Sequence, residues 1–93
     1  MNGIKRAKIY VFGQVQGVFF RQKTKNEAKS LNLIGWVKNT EDGNVIIMAQ
    51  GPKECIEAII TWAGVGPLRA KVKKVEVEWL EPSNDLSDFE III

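Results

Sequence analysis

The strongest constraint on this chain is a change of hydrophobic period that happens twice. Ala7-Lys8-Ile9-Tyr10-Val11-Phe12 alternates with period two and reads as a strand. Ala7, Ile9 and Val11 share one face, and Lys8, Tyr10 and Phe12 the other. From about Phe19 to Leu31 the period becomes helical, with Phe20, Thr24, Ala28 and Leu31 along one stripe and Asn32 as a left-handed stop. Ile34 to Asn39 and Val45 to Gln50 return to strand. The Thr40–Asn44 segment between them contains Asp-Gly, the strongest short hairpin signal. Gly51-Pro52 opens a second helix, with Ile56, Ile59, Ile60 and Ala63 as its core stripe and Gly64 as its stop. A fourth strand runs from about Ala70 to Leu80. Its alternation slips phase at Lys73-Lys74, which predicts a bulge. After a turn at Glu81–Asp85, Phe89 to Ile93 forms a short last strand.

Strand-helix-strand-strand-helix-strand with right-handed crossovers specifies an α+β, ferredoxin-like two-layer sandwich. Its expected sheet is antiparallel, with both helices on one face and strand three between strands one and two. The 93 residues make one domain, 1–93. Hydrophobic residues at 45% and charged residues at 26% fit a soluble globular chain. No apolar run approaches the roughly 20 residues of a membrane span, and Met1–Arg6 carries no signal-peptide core, so a cytoplasmic protein is expected. The single cysteine, Cys55, excludes an internal disulfide and a cysteine zinc cluster. The absence of histidine removes Ser-His and Cys-His nucleophile systems and imidazole metal sites.

The net charge of +2 hides an asymmetry. Residues 1–40 carry eight Lys/Arg and one acid, whereas residues 41–93 carry five Lys/Arg and ten acids. A basic half suits an anionic partner, although the lysines taken alone also read as solvated faces. The loop Gly13-Gln14-Val15-Gln16-Gly17-Val18 gives that bias a focus. Its glycines let successive amides converge, the following helix points its positive end at them, and Arg21 follows in the first turn. A doubly charged phosphate suits a ring of amides plus one guanidinium fork. Glycines in a strand-to-helix turn also serve purely structural ends, and Asn39 read alone is a polar residue closing a hairpin.

Gly13-Gln14-Val15-Gln16-Gly17-Val18-Phe19-Phe20-Arg21 resembles the acylphosphatase signature Gly-x-Val-Gln-Gly-Val-x-Phe-Arg. Gly35-Trp36-Val37-Lys38-Asn39-Thr40-Glu41-Asp42-Gly43-Asn44-Val45 resembles that family's second signature, and Gln50-Gly51-Pro52 and Gly66-Pro67 with Ala70 and Val72 also fit. The resemblance implies hydrolysis of small acyl phosphates to a carboxylate and inorganic phosphate, without metal or cofactor. Inorganic phosphate would be product and competitive inhibitor. By position, Arg21 and the amides of Gln16, Gly17, Val18, Phe19, Phe20 and Arg21 hold the phosphate, Asn39 orients the water, and Thr40 supports that neighbourhood. A monomer acting without membrane or nucleic acid is expected.

Two other classes share the topology. A single-stranded RNA-binding module would carry Phe or Tyr on strand three, but Asn44-Val45-Ile46-Ile47-Met48-Ala49 has none. A regulatory, anion-sensing domain would keep the cradle without turnover. Cys55, Trp36, Trp62 and Trp79 are read as packing, and Ile46, Met48 and Gln50 as residues of the open sheet face.

Overall fold

The computed structural model describes residues 3–92, so Met1, Asn2 and Ile93, the expected last residue of the final strand, lie outside it. The elements are β1 (Ile4–Gln14), α1 (Phe20–Ser30), β2 (Ile34–Asn39), β3 (Val45–Pro52), α2 (Lys53–Val65), β4 (Lys71–Leu80) and β5 (Phe89–Ile92). They form one five-stranded sheet in the order β4-β1-β3-β2-β5, with β3 between β1 and β2 as the sequence predicts. Among the described residues, no helix is long and apolar enough to cross a membrane.

The period-two alternation places Ala7, Ile9 and Val11 of β1, Val37 of β2, and Val45, Ile47 and Ala49 of β3 on the helix-covered face, all fully buried. Phe20, Thr24 and Ala28 of α1 and Ile56, Ile59 and Ala63 of α2 meet them from above. Thr24 remains satisfied in this apolar layer because its hydroxyl donates to the Phe20 carbonyl at 2.7 Å. Asn32 adopts the left-handed φ of 57° expected of a stop.

The structure corrects several details. The sheet is mixed: β5 pairs with β2 in parallel, while the other pairs are antiparallel. The cause is the short link after β4. It passes the end of the sheet where β4 exits, so β5 must run back in the direction of β2. Helix α2 continues through Gly64 to Val65, and the stop is Gly66 at φ 73°, whose amide donates to the Trp62 carbonyl at 2.7 Å. Pro52, extended at ψ 142°, is both the last residue of β3 and the cap residue that opens α2, one position before the first turn in which it was expected. Trp62 packs edge-on against Phe20 at 5.4 Å, but Trp79, near the end of an edge strand, is 47% exposed. Cys55 is half-buried.

The predicted bulge is present. Phe12 pairs with Lys74 and Gly13 with Val72, leaving Lys73 unmatched. Gly13 sits there at φ 136°, so close to β4 that a Cβ would collide with the Lys71 carbonyl.

Gln50, expected on the open face, is buried with Arg6 at the end of the sheet away from the β1–α1 loop. Arg6 Nε donates to Gln50 Oε1 at 2.7 Å, and its Nη2 pairs with Asp85 at 2.5 Å. Gln50 in turn donates to the Ser83 carbonyl at 2.8 Å and accepts from its amide at 3.0 Å. This cluster pins the β4–β5 link beneath the sheet and so fixes where β5 starts. The bond from Arg6 also lowers the Asp85 carboxyl below its ordinary 3.8.

Arg6→Ala should therefore cost about 2 kcal/mol at neutral pH, because it removes a nearly buried charge from Gln50 and Asp85. A carboxyl lowered by folding adds stability above its unfolded value and loses it as pH falls through its folded value. Parent stability should decline as pH drops below about 3.8, a value set by the ordinary Asp. Urea melts at pH 7 and pH 3 should show a smaller difference for Arg6→Ala than for the parent.

Candidate active site

The site is built where β1, β2 and β5 end and α1 begins. A cleft of about 450 Å³ is lined by Val15, Gly17, Phe19, Phe20, Arg21, Gln22, Asn39 and Ile91. Gly17 at φ 73° and Phe19 at φ 62° are both left-handed, and between them they fold the chain back into α1. As a result, none of the amides from Gln16 to Gln22 donates to another group among the described residues. The first intrahelical bond is from Lys23 to the Phe19 carbonyl at 3.0 Å. Helix α1 has no side-chain cap and no acidic residue in its first turn. Its positive end is thus left to whatever enters the cleft.

Arg21 is half-buried on the first turn of α1 and belongs to none of the salt bridges among the described residues. Asn39 is the last residue of β2 and reaches the same cleft. Its Oδ1 is buried without a hydrogen-bond partner, a cost of roughly 1–3 kcal/mol for a group left so.

Of the residues expected from sequence, Gly17, Phe19, Phe20, Arg21 and Asn39 come together in the cleft. Val18 packs toward the core instead, and Gln16 does not line the cleft. The Gln16 side chain turns toward the β2–β3 hairpin, where Nε2 donates to the carbonyls of Thr40 at 2.8 Å and Asn44 at 2.9 Å. Thr40 organises that hairpin. Its hydroxyl bonds Asp42 and accepts from the Asn44 amide at 3.0 Å, and its own amide donates to the Asn44 carbonyl at 2.9 Å. The bond from Thr40 holds the Asp42 carboxyl below its ordinary value. Asn44 Oδ1 accepts from the Gly13 amide at 3.3 Å, a second tie between loop and hairpin. Sequence reasoning missed Val15, Gln22 and Ile91. Gln22 was legible as the residue after Arg21 in an uncapped first turn, but Ile91 depends on how β5 pairs.

A family model described as Acylphosphatase matches residues 7–91. The chain belongs to the acylphosphatase family. An acylphosphatase of Anaeromyxobacter dehalogenans is 45% identical over 86 residues, covering 92% of each chain. One of Pyrobaculum islandicum is 43% identical over 88 residues, covering 94% of this chain and 93% of the relative. The crystal structure of acylphosphatase from Bacillus subtilis superposes with a TM-score of 0.92 at 34% identity, covering 96% of this chain and 99% of that one. The ferredoxin-like fold is thus the fold of this family's solved members.

Gln16 joins the loop that leads into α1 to the hairpin that follows β2, and so links the two sides of the cleft. Gln16→Ala should lower kcat/KM for benzoyl phosphate by about tenfold or more, since a misplacement near 1 Å can cost that much. Far-ultraviolet circular dichroism should show the fold retained.

Proposed function

We propose that this cleft hydrolyses acyl phosphates with the phosphate held by loop amides and Arg21 and the attacking water oriented by Asn39. Membership of the acylphosphatase family carries the reaction, a hydrolysis releasing a carboxylate and inorganic phosphate. The observation that supports the division of roles is that Asn39 lines the same cleft as Arg21, beside an uncapped helix start.

The chemistry asks for little more. A carboxylate is already a good leaving group, so no strong general acid is needed. Phosphoryl transfer depends on positioning and charge stabilisation more than on covalent help from the protein. The amides from Gln16 to Arg21 and the α1 N-terminus supply fixed dipoles, and the guanidinium supplies a permanent fork-shaped charge. Gln16 contributes in this reading through its backbone, while its side chain holds the hairpin. Once its side-chain amide turns Oδ1 from its buried position into the cleft, Asn39 can accept from the water through Oδ1 and donate to a phosphate oxygen through its amide nitrogen. Thr40 acts one step back, by shaping the turn that fixes the end of β2.

The same reading makes inorganic phosphate both product and competitive inhibitor. It requires no cofactor, nucleic acid or membrane. It casts residues 1–93 as one domain working as a cytoplasmic monomer.

Arg21→Ala should abolish measurable turnover and weaken inhibition by inorganic phosphate about a hundredfold, with Arg21→Lys restoring little. Asn39→Ala should lose kcat while phosphate inhibition stays within about threefold of the parent, because water is held for the transition state. Single-turnover release of phosphate from benzoyl phosphate distinguishes this enzyme from an anion-sensing domain, which would bind phosphate and release none.

The pH dependence follows from the same residues. Asn39 does not ionise and the chain has no histidine. Asp42, the acid tied into the adjacent turn, is lowered rather than raised, which removes it as a base near neutrality. The inflection of kcat/KM between pH 4.5 and 8.5 should move with the phosphate pKa of two different acyl phosphates. An inflection that stays fixed and vanishes in Glu41→Gln would assign a carboxylate base instead.

A further inference from the structure

Phe19 occupies a position that a glycine would fill without strain. Its backbone is left-handed at φ 62° and ψ 23°, a region that bulky residues rarely enter. Two residues earlier the loop meets the same demand with Gly17. The Phe19 ring does not repay this by packing. It is 78% exposed, whereas its neighbour Phe20 is fully buried against Trp62. Yet Phe19 lines the cleft. An exposed aromatic ring is therefore held at the mouth of the phosphate cradle by a backbone that carries strain to do so.

The cleft is also larger than a phosphate requires. At about 450 Å³ it falls in the range that takes whole small organic molecules, and Val15, Phe20 and Ile91 give it apolar walls. In an in-line displacement the acyl oxygen leaves on the side opposite the water. With water at Asn39, the acyl group is directed away from the end of β2. Phe19, at the helix start, is the exposed apolar surface of the cleft available to it.

We propose that Phe19 forms an acyl subsite, so that the enzyme prefers acyl phosphates with an aromatic or bulky apolar acyl group over acetyl phosphate. This rests on the reading of the cleft as an acyl phosphate site. The ring recognises the leaving group and takes no part in moving a proton or holding the phosphate, which the Phe19 amide does through the backbone.

The test is the ratio of kcat/KM for benzoyl phosphate to kcat/KM for acetyl phosphate in Phe19→Gly, Phe19→Asn and Phe19→Tyr. Gly and Asn both suit the left-handed backbone, so the loop keeps its path while the ring is lost. Using a ratio cancels any change in the cradle that both substrates share. The ratio should fall about threefold to tenfold in the Gly and Asn variants, the usual worth of an aromatic pair. It should stay within about twofold of the parent in Phe19→Tyr. An unchanged ratio in all three, with the parent turning over both substrates, would overturn the subsite and leave the hydrolase intact. A parent that turns over neither substrate would overturn both.

Discussion

The site depends on two hydrogen bonds from one side-chain amide. Arg21 starts α1 and Asn39 ends β2, so the Leu31–Leu33 turn that joins the two elements lies at the far end of both from the site. Gln16 spends both Nε2 protons on the carbonyls of Thr40 and Asn44, and so sews the β1–α1 loop to the β2–β3 hairpin. Asn44 repeats the tie from the other side by accepting from Gly13. With that joint closed, the guanidinium and the amide of Asn39 face one cleft. With it open, the start of α1 and the end of β2 would lose the side-chain tie that holds them at a fixed spacing.

The joint has a thermodynamic counterpart at the opposite end of the sheet. Unpaired amides, a left-handed Phe19 and a buried, unpartnered Oδ1 each disfavour the folded state at the site, and on the proposed roles that cost is recovered when an anion enters. The compensation lies in the apolar layer between sheet and helices, and in the satisfied cluster of Arg6, Gln50, Ser83 and Asp85. That cluster also reaches the site indirectly. By fixing the link before β5 it sets the parallel pairing of β5 with β2, in which Ile91 stands beside Val37 and forms one cleft wall.

What was legible in the sequence was whatever repeats with a period or follows a signature. α1 and β2 could be read nearly to the residue because alternation and the helical stripe are local. β1 was legible only over its alternating centre and runs on to Ile4 and Gln14, and the bulge was visible as a slip in the alternation of β4. The stop of α2 lies two residues beyond the expected one because Gly64 and Gly66 both read as punctuation, and only Gly66 takes the left-handed φ that turns the chain out of the helix. The parallel β5 was hidden because a four-residue strand carries no record of its partner. Gln16 shows the same limit within the site. Its place in the loop suggested a backbone role, but its side chain bonds residues 24 and 28 positions away, which no local pattern reports. Gln50 reads as an open-face residue by alternation alone and becomes buried only because the β4–β5 link crosses it.

The central claim is that the cradle holds phosphorus in place for attack by a water at Asn39. Hydrolysis of benzoyl phosphate in ¹⁸O-enriched water, followed by mass spectrometry of both products, tests it directly. Attack at phosphorus predicts one labelled oxygen in the inorganic phosphate and none in the benzoate. Label in the benzoate would mean that water attacks the carbonyl carbon, and would contradict the roles given to the loop, Arg21 and Asn39.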